Sequence, residues 1–441
     1  MQKAGSYNPQ RLEPLLERLE HASLLRPVGR VIGVLGPRIK ARLPGALLGA
    51  HVLVGDPPAT LRAEVVAFDH DQVILLPLDR LGAISAGMPV CLAPDQEQVL
   101  CGDALIGRVL DESGRPLDDG PPLSGEPWSI MRQPPPALQR LPITEQLHTG
   151  VCVLDTLLPL AHGQRLVMLS QAGAGKSELL RRIARDAEID VCVYALIGER
   201  GAEVRRFAES LLAGPARERL ILIVSTSDAA PRARVRAAFT ATAIAEYFRD
   251  RRGLRVLLAL DSLTRVARAQ REVGLAAGEL PVREGFPPSL FDLLPQLLER
   301  AGNSAHGQLS AFYTVLSEAR ADDPLSAELA SLADGHLLLS AKLAQRQAFP
   351  AIDVVRSLSR VGHLVQPQHV AQAAHRLRSA LSTYDEKATL LEAGMLKTGA
   401  DPELDWAVAN WRSIKALLYP ETQAPMPLAE SQARLLKLVG A

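Results

Sequence analysis

Three stretches of this chain carry residue types whose order suits phosphate chemistry. In Arg165-Leu-Val-Met-Leu-Ser-Gln-Ala-Gly-Ala-Gly-Lys-Ser177 an apolar run stops in a glycine turn and restarts with the amphipathic pattern Leu179, Leu180, Ile183, Ala184. Gly173 and Gly175 let the backbone curl so that successive N–H groups face an anion, and a helix opening at Lys176 adds its positive dipole end. Ser170, Gln171, Ala172, Gly173, Ala174, Gly175, Lys176 and Ser177 are therefore read as a phosphate-binding loop. Lys176 would reach the β- and γ-phosphates of a nucleotide and Ser177 would hold Mg²⁺. The pattern G-x-x-x-x-G-K-[ST] calls for glycine where Ser170 stands, and a Gly-Lys-Ser string alone also suits a solvated turn. The strand before it and the helix after it decide for the loop.

The second stretch is Arg255-Val-Leu-Leu-Ala-Leu-Asp261-Ser262, an apolar strand ending in an acid. A buried parallel strand delivers such a carboxylate to the sheet edge where a phosphate loop also lies, so Asp261 is expected to order a Mg²⁺ shell. Between the two lies Ala195-Leu-Ile-Gly-Glu-Arg-Gly-Ala-Glu203. Glu199 at its strand end is placed to orient an attacking water, with Arg200 setting its geometry. On spacing alone, a strand-end salt bridge between Glu199 and Arg200 is the better explanation.

The elements that must position these groups can be read from periodicity. From Arg165 onward strands alternate with helices: Arg165 to Leu169, Val191 to Ile197, Leu220 to Val224, Val256 to Leu260, Leu309 to Val315 and His336 to Leu339. That alternation predicts a largely parallel sheet covered by helices. Upstream, from Val28 to about Ala93, short β-rich runs separated by Gly, Pro and Asp predict a small barrel or sandwich. Pro134-Pro-Pro136 marks a linker. An amphipathic helix is expected near the start, with Leu12, Leu15, Leu16 and Leu19 on one face, and helices over Ala371 to Leu381, Glu386 to Leu396 and Leu404 to Leu418 near the end. The expected divisions are residues 1–95, 96–365 and 366–441.

With 441 residues the chain exceeds one comfortable core. Lys plus Arg and Asp plus Glu both number 49, so net charge gives no general reason to seek nucleic acid or anionic lipid. The four cysteines, Cys91, Cys101, Cys152 and Cys192, show no C-x-x-C spacing, and three of them sit in apolar runs where a buried thiol is the usual reading, which suits a reducing cytoplasm. No apolar run approaches the ~18 residues that span a bilayer, and the polar start lacks a signal-peptide core.

Further segments carry a resemblance: Gly198-Glu-Arg-Gly, Leu260-Asp-Ser-Leu-Thr-Arg-Val-Ala-Arg-Ala-Gln-Arg-Glu272, Gly285-Phe-Pro-Pro-Ser-Leu-Phe, Leu298-Glu-Arg-Ala-Gly302, Tyr313-Thr-Val-Leu, Ala333-Asp-Gly-His336 and Phe349-Pro-Ala-Ile-Asp-Val. Together with Gly102-Asp-Ala-Leu-Ile-Gly-Arg-Val-Leu-Asp, they make the chain from Val28 onward resemble the type III secretion and flagellar export ATPases, relatives of the catalytic subunits of rotary ATP synthases. The resemblance implies an α/β fold with a RecA-like P-loop ATPase core, an N-terminal small β-barrel domain and a C-terminal helical domain. It implies a homo-hexameric ring that hydrolyses MgATP to release chaperones from exported substrates and unfold them. It also implies stalk and stator partners, and a cytoplasmic location at the inner face of the membrane, peripheral through the export machinery.

Carried over residue by residue, Lys176 and Ser177 bind phosphate and Mg²⁺, Glu199 activates water and Asp261 is the Walker B acid. Arg200 and Arg265 match arginines of the phosphate network. Arg360, in Ser357-Leu-Ser-Arg360-Val, matches an arginine finger reaching a neighbouring subunit, and Phe349 falls where an aromatic ring packs on adenine. The Ser289-Leu-Phe-Asp-Leu-Leu-Pro run favours the injectisome branch over the flagellar one. A catalytically weak ring scaffold or regulatory subunit, and an ATP synthase catalytic subunit, are the alternatives. Glu199 speaks against the first, since non-catalytic ring subunits typically lose that acid. The second is disfavoured by a tail lacking the acidic lever segment. RNA translocation is disfavoured by the neutral charge and the 4% aromatic content. Gln171, Glu178 and Glu284 depart from the usual family residues, which bears on turnover rather than on the catalytic set.

Overall fold

Each short run between Val28 and Leu92 becomes a strand in this computed structural model: β1 (Val28–Leu35), β2 (Arg38–Arg42), β3 (His51–Val54), β4 (Leu61–Asp69), β5 (Gln72–Pro77) and β6 (Pro89–Leu92). They close antiparallel into a barrel of order β1-β2-β5-β4-β3-β6, with Ile39, Val52, Val65 and Leu75 in its core. Closure leaves no unpaired strand edge. The structure describes residues 28–57, 59–93, 98–316, 323–392, 399, 401–422 and 424–440. The amphipathic helix expected over about 10–23 and the boundary expected at 95/96 lie outside these. The chain divides into two compact units, Met1–Gln96 and Glu97–Ala441.

The second unit opens with β7 (Gln98–Cys101), β8 (Val109–Leu110) and β9 (Glu126–Ser129), followed by β10 (Gln146–Leu147) and β11 (Leu160–Ala161). Then come β12 (Arg165–Ser170), β13 (Val191–Glu199), β14 (Leu220–Thr226), β15 (Arg255–Asp261), β16 (Gly302–Asn303), β17 (Gln308–Leu316), β18 (Gly335–Leu339) and β19 (Leu358–Ser359). The main sheet has the order β19-β18-β12-β17-β15-β13-β14-β8. Its neighbours run parallel except β19 on β18 and the short β16 on β17. Parallel strands covered on both faces read as continuous apolar runs, which is what Val191–Ile197 shows. Cys192, Tyr194 and Leu196 pack toward the helix Lys176–Asp186, while Val193, Ala195 and Ile197 pack toward the helices Pro231–Asp250, Leu263–Ala277 and Pro288–Leu298.

Leu298-Glu-Arg-Ala-Gly302 binds the proline linker to this body. Arg140 Nη2 donates to the Glu299 carbonyl at 2.5 Å and lies 2.9 Å from its carboxylate. Arg300 Nη1 donates to the Ile130 carbonyl at 2.8 Å, and its other nitrogens form a fork on Glu246 at 3.0 and 2.5 Å. Arg300 and Glu246 are each about 1% exposed, so this is a buried, fully hydrogen-bonded ion pair.

The tail departs from its expected segmentation. Ala371 to Leu381 and Glu386 to Leu396, expected as separate helices, belong to one helix, Gln368–Glu392, because Ser382-Thr-Tyr-Asp385 contains no glycine or proline to stop it; residues 393–396 lie outside the described set. Leu404 to Leu418 instead breaks into Pro402–Ala409 and Trp411–Leu418. The break is at Asn410, whose Nδ2 takes the Trp406 carbonyl at 2.9 Å. A last helix, Leu428–Val439, follows. Val370, Leu377, Ile414, Leu418 and Leu435 share one core with Leu179, Leu180 and Ile183 of the helix after the glycine loop. Cys101, Cys152 and Cys192 are buried free thiols, and burial pushes the first and last up to about 12.

Candidate active site

Parallel strands end at a common edge, and there β12, β13 and β15 deliver Ser170, Glu199 and Asp261. Beyond Ser170 the chain turns through Gly173 and Gly175, with φ of 79° and 83°, a left-handed region that side chains disfavour. Gly175 caps the helix Lys176–Asp186, whose first N–H groups therefore open onto the turn. A Cβ at Gly175 would stand 3.2 Å from the Phe349 ring, so Phe349 lies directly against the loop. Ser170 and Ala174 are buried supports of the turn, while Ala172 and Gly173 are exposed at its tip and Gln171 is half-buried.

Asp261, 1% exposed, is the hub. Its Oδ1 meets the Lys176 ammonium and accepts from Thr314 Oγ1 at 2.8 Å. Its Oδ2 accepts from the Tyr194 hydroxyl at 3.3 Å and lies 3.5 Å from Ser177 Oγ. Burial and the facing Asp261 hold the Tyr194 phenol well above its ordinary pKa, which keeps it a donor. The Ser177 hydroxyl and the Asp261 carboxylate are adjacent hard oxygen donors of the kind that Mg²⁺ accepts. Their chemistry fits that ion.

Glu199 is half-buried at the end of β13, and its pKa is raised. Desolvation is the leading cause, followed by repulsion from Asp261; Lys176 and Arg265 pull the other way, and a side-chain hydrogen bond with Glu203 adds to the rise. A carboxylate so placed is a stronger base than one in water. Arg265 stands in the first turn of the helix Leu263–Ala277, and a Cβ at Gly198 would fall 2.9 Å from Arg265 Cβ. Gly198 is therefore the residue that lets this arginine approach Glu199. Arg200 is exposed at the start of the helix Gly201–Leu212, and among the described residues no ion pair joins it to Glu199. A cleft of about 490 Å³ opens onto Ser177, Glu199, Glu203 and Asp261. Glu178 lines it as well, but its carboxylate is bound by Arg181 one helical turn on.

Arg360 is not brought to this edge. It follows β19, which runs antiparallel to β18, so it emerges beside Asp334 at the opposite end of the sheet. The six residues of β12 alone separate that end from the loop by roughly 20 Å. Tyr194, Thr314 and Glu203 belong to the site without having been singled out as site residues. Thr314 could be found only from the strand order, which puts β17 between β12 and β15. Glu203 could be found only from the turn at Arg200, which brings the first turn of the helix Gly201–Leu212 beside the end of β13.

A family model described as the ATP synthase alpha/beta family, nucleotide-binding domain, matches residues 150–359, and one described as the T3SS EscN ATPase C-terminal domain matches residues 365–437. The type 3 secretion system ATPase of Xanthomonas euvesicatoria is 44% identical over 93% of this chain and 94% of its own length. The flagellum-specific ATP synthase of Bacillus subtilis is 39% identical over 97% of this chain and 99% of its own. The solved structure of the assembled ATPase EscN in complex with its central stalk EscO, from the enteropathogenic E. coli type III secretion system, matches with a TM-score of 0.86 at 41% identity, covering 93% of this chain and 100% of that one. Likeness of this degree over nearly the whole length means that the chain belongs to the type III secretion and flagellar export ATPases, ATP-hydrolysing enzymes built on the nucleotide-binding domain of ATP synthase.

Proposed function

We propose that this ATPase hydrolyses MgATP in a homo-hexameric ring to energise type III protein export, releasing chaperones from secreted substrates and unfolding them. The observation that carries the reading is the convergence of Ser177, Glu199 and Asp261 on one cleft, with Lys176 paired to Asp261. The loop N–H groups and Lys176 bind the β- and γ-phosphates. Ser177 and Asp261 hold Mg²⁺, which when bound neutralises charge on the phosphate oxygens. Glu199, with its raised proton affinity, orients the attacking water and takes its proton, while Arg265 and Arg200 complete the charge around the phosphates. Phe349, lying against Gly175, packs on the adenine.

Arg360 acts in trans. Its place at the far end of the sheet from Lys176 supports this, since no side chain spans that distance to its own loop. The stalk complex of the EscN relative supports a stalk partner here, and stator and chaperone-substrate complexes complete the assembly. The enzyme works at the cytoplasmic face of the inner membrane; among the described residues no helix is long and apolar enough to cross it. Residues 96–365 serve as the motor and 366–441 as a helical base, and the Ser289 run favours an injectisome over a flagellar system, which the genes beside its own would test. The reading as a whole is tested by mixing Arg360→Ala subunits, whose loop is sound, with Lys176→Ala subunits, whose finger is sound. Each parent ring should be inactive and the mixed rings should regain part of the activity. Inactive mixtures in rings shown to contain both chains would refute the shared site.

A further inference from the structure

We propose that Asp334, gripped by Arg165, is the positioning residue that aims Arg360, so that the strand carrying one subunit's phosphate loop also sets the finger that the subunit offers to its neighbour. The proposal rests on the reading of Arg360 as acting in trans.

Arg165 opens β12, the strand that runs into the glycine loop. Its backbone N–H and its Nε donate to Asp334 Oδ2 at 2.9 and 3.0 Å, and its Nη2 donates to Oδ1 at 2.9 Å. The remaining arm, Nη1, pairs with Glu299, which Arg140 of the linker also binds. The Asp334 N–H donates back to the Arg165 carbonyl at 2.9 Å. Backbone and side chain of Asp334 are thus both fixed to the first residue of β12. A planar fork fixes direction as well as distance, which a single point charge does not.

Asp334 passes this constraint on through its own carbonyl, which accepts the Arg360 N–H at 2.9 Å and Gln164 Nε2 at 3.2 Å. Gln164 Nε2 also reaches Ser359 Oγ at 3.2 Å, and that hydroxyl donates to the Pro159 carbonyl at 2.7 Å. Residues 359 and 360 are therefore both clamped to the segment leading into β12. Gly335 permits the approach, since a Cβ there would fall 2.4 Å from the Leu358 carbonyl oxygen. The Arg360 guanidinium rests on the Ala330 and Ala333 carbonyls, each at 3.3 Å, at the carboxyl end of the helix Pro324–Leu332, where the dipole favours a cation. The Arg360 N–H thus bonds Asp334 itself, and its guanidinium bonds the residue before Asp334 and the last turn of the helix that leads to it.

The test is Asp334→Asn, which keeps the shape and weakens the fork. Misplacing a reacting group by about 1 Å costs on the order of 10²-fold in rate. Asp334→Asn rings should accordingly assemble and bind ATP with KM within about twofold of wild type, while kcat falls by about 10²-fold. Mixing then locates the fault. Rings combining Asp334→Asn with Lys176→Ala should recover activity, as the Arg360→Ala and Lys176→Ala mixture does, because the weakened subunit keeps a sound loop. Rings combining Asp334→Asn with Arg360→Ala should not recover, because neither offers a sound finger. Recovery in that second mixture would put the defect in the subunit's own loop and overturn the proposal, as would wild-type kcat in Asp334→Asn alone. Failure of the Arg360→Ala and Lys176→Ala reference mixture removes the trans reading and the proposal with it, whereas recovery there without recovery for Asp334→Asn removes the proposal alone. If Asp334→Asn does not assemble, Ser359→Ala, which cuts only the Gln164 and Pro159 clamp, carries the same mixtures with a loss of about tenfold.

Discussion

Thr314 donates its hydroxyl hydrogen to the same Asp261 oxygen that receives Lys176, because β17, which carries Thr314, runs between β12 and β15. The hydroxyl gives that buried oxygen a second partner beside the lysine. Thr314→Val removes that donor and leaves the acceptor with Lys176 alone. Stability should fall by about 1.5–3 kcal/mol, the range for losing a hydrogen bond to a charged group. The accompanying expectation is a reduced kcat with ATP affinity retained. Denaturant melts and steady-state kinetics check both, and a variant equal to wild type in each would remove Thr314 from the site.

Glu199→Gln should bind nucleotide and lose hydrolysis by orders of magnitude, since it keeps the shape and removes the base. Because the Glu199 pKa is raised, the acid limb of kcat/KM should lie above the ordinary carboxylate value of 4.5. Folding has the opposite preference. The folded protein binds this proton more tightly than the unfolded chain, so the ionised carboxylate costs stability above its folded pKa, and that cost disappears as pH falls toward 4.5. Glu199→Gln should therefore melt higher than wild type at pH 8 and lose the advantage near pH 4.5. A melting difference independent of pH would contradict the raised pKa.

The acid at position 178 raises the expectation of like-charge repulsion toward phosphate. Arg181 neutralises that expectation by binding Glu178 and by donating to Ser210 Oγ at 2.8 Å. Glu178→Thr should then shift ATP affinity by less than about twofold, as exposed, paired charges typically contribute little. Arg181→Ala should weaken binding, and Arg181→Ala with Glu178→Thr should restore it. A double-mutant cycle by nucleotide titration gives the answer, and additive effects would show that the pair does not act as one unit.

Gly175→Ala should abolish nucleotide binding while leaving the fold intact. Its φ of 83° disfavours a side chain, by about 1–2 kcal/mol, and the new methyl would press on the Phe349 ring. Circular dichroism and ATP titration separate the two effects. Nucleotide binding at wild-type strength would mean that the loop tolerates a residue at its most constrained position.

Arg300→Ala should destabilise the ATPase unit by about 3–5 kcal/mol, since it strands Glu246 in a site that excludes water. Arg300→Met combined with Glu246→Leu should recover most of that loss. Thermal melts of the two variants decide it, and equal losses would point to the Ile130 contact rather than the ion pair.

Much of this architecture could be read from the sequence, because apolar runs such as Val191–Ile197 alternate with helical patterns as covered parallel strands do, and the strand before Gly173-Ala-Gly-Lys176 and the helix after it mark that turn as a phosphate loop. Thr314 and Tyr194 were not legible as site residues. Their roles depend on which strands lie side by side, and that order is set by crossovers the one-dimensional pattern does not encode. The tail was misdivided for a local reason. Helical periodicity continues through Ser382-Thr-Tyr-Asp385 without a break and fails at Asn410, where one side-chain amide competes for a carbonyl.

β12 is six residues long, runs into the glycine loop at one end and is bound by Asp334 at the other. In the ring proposed above, this one strand would serve two active sites, its own through the loop and a neighbour's through Asp334, so a substitution along β12 would be expected to disturb both.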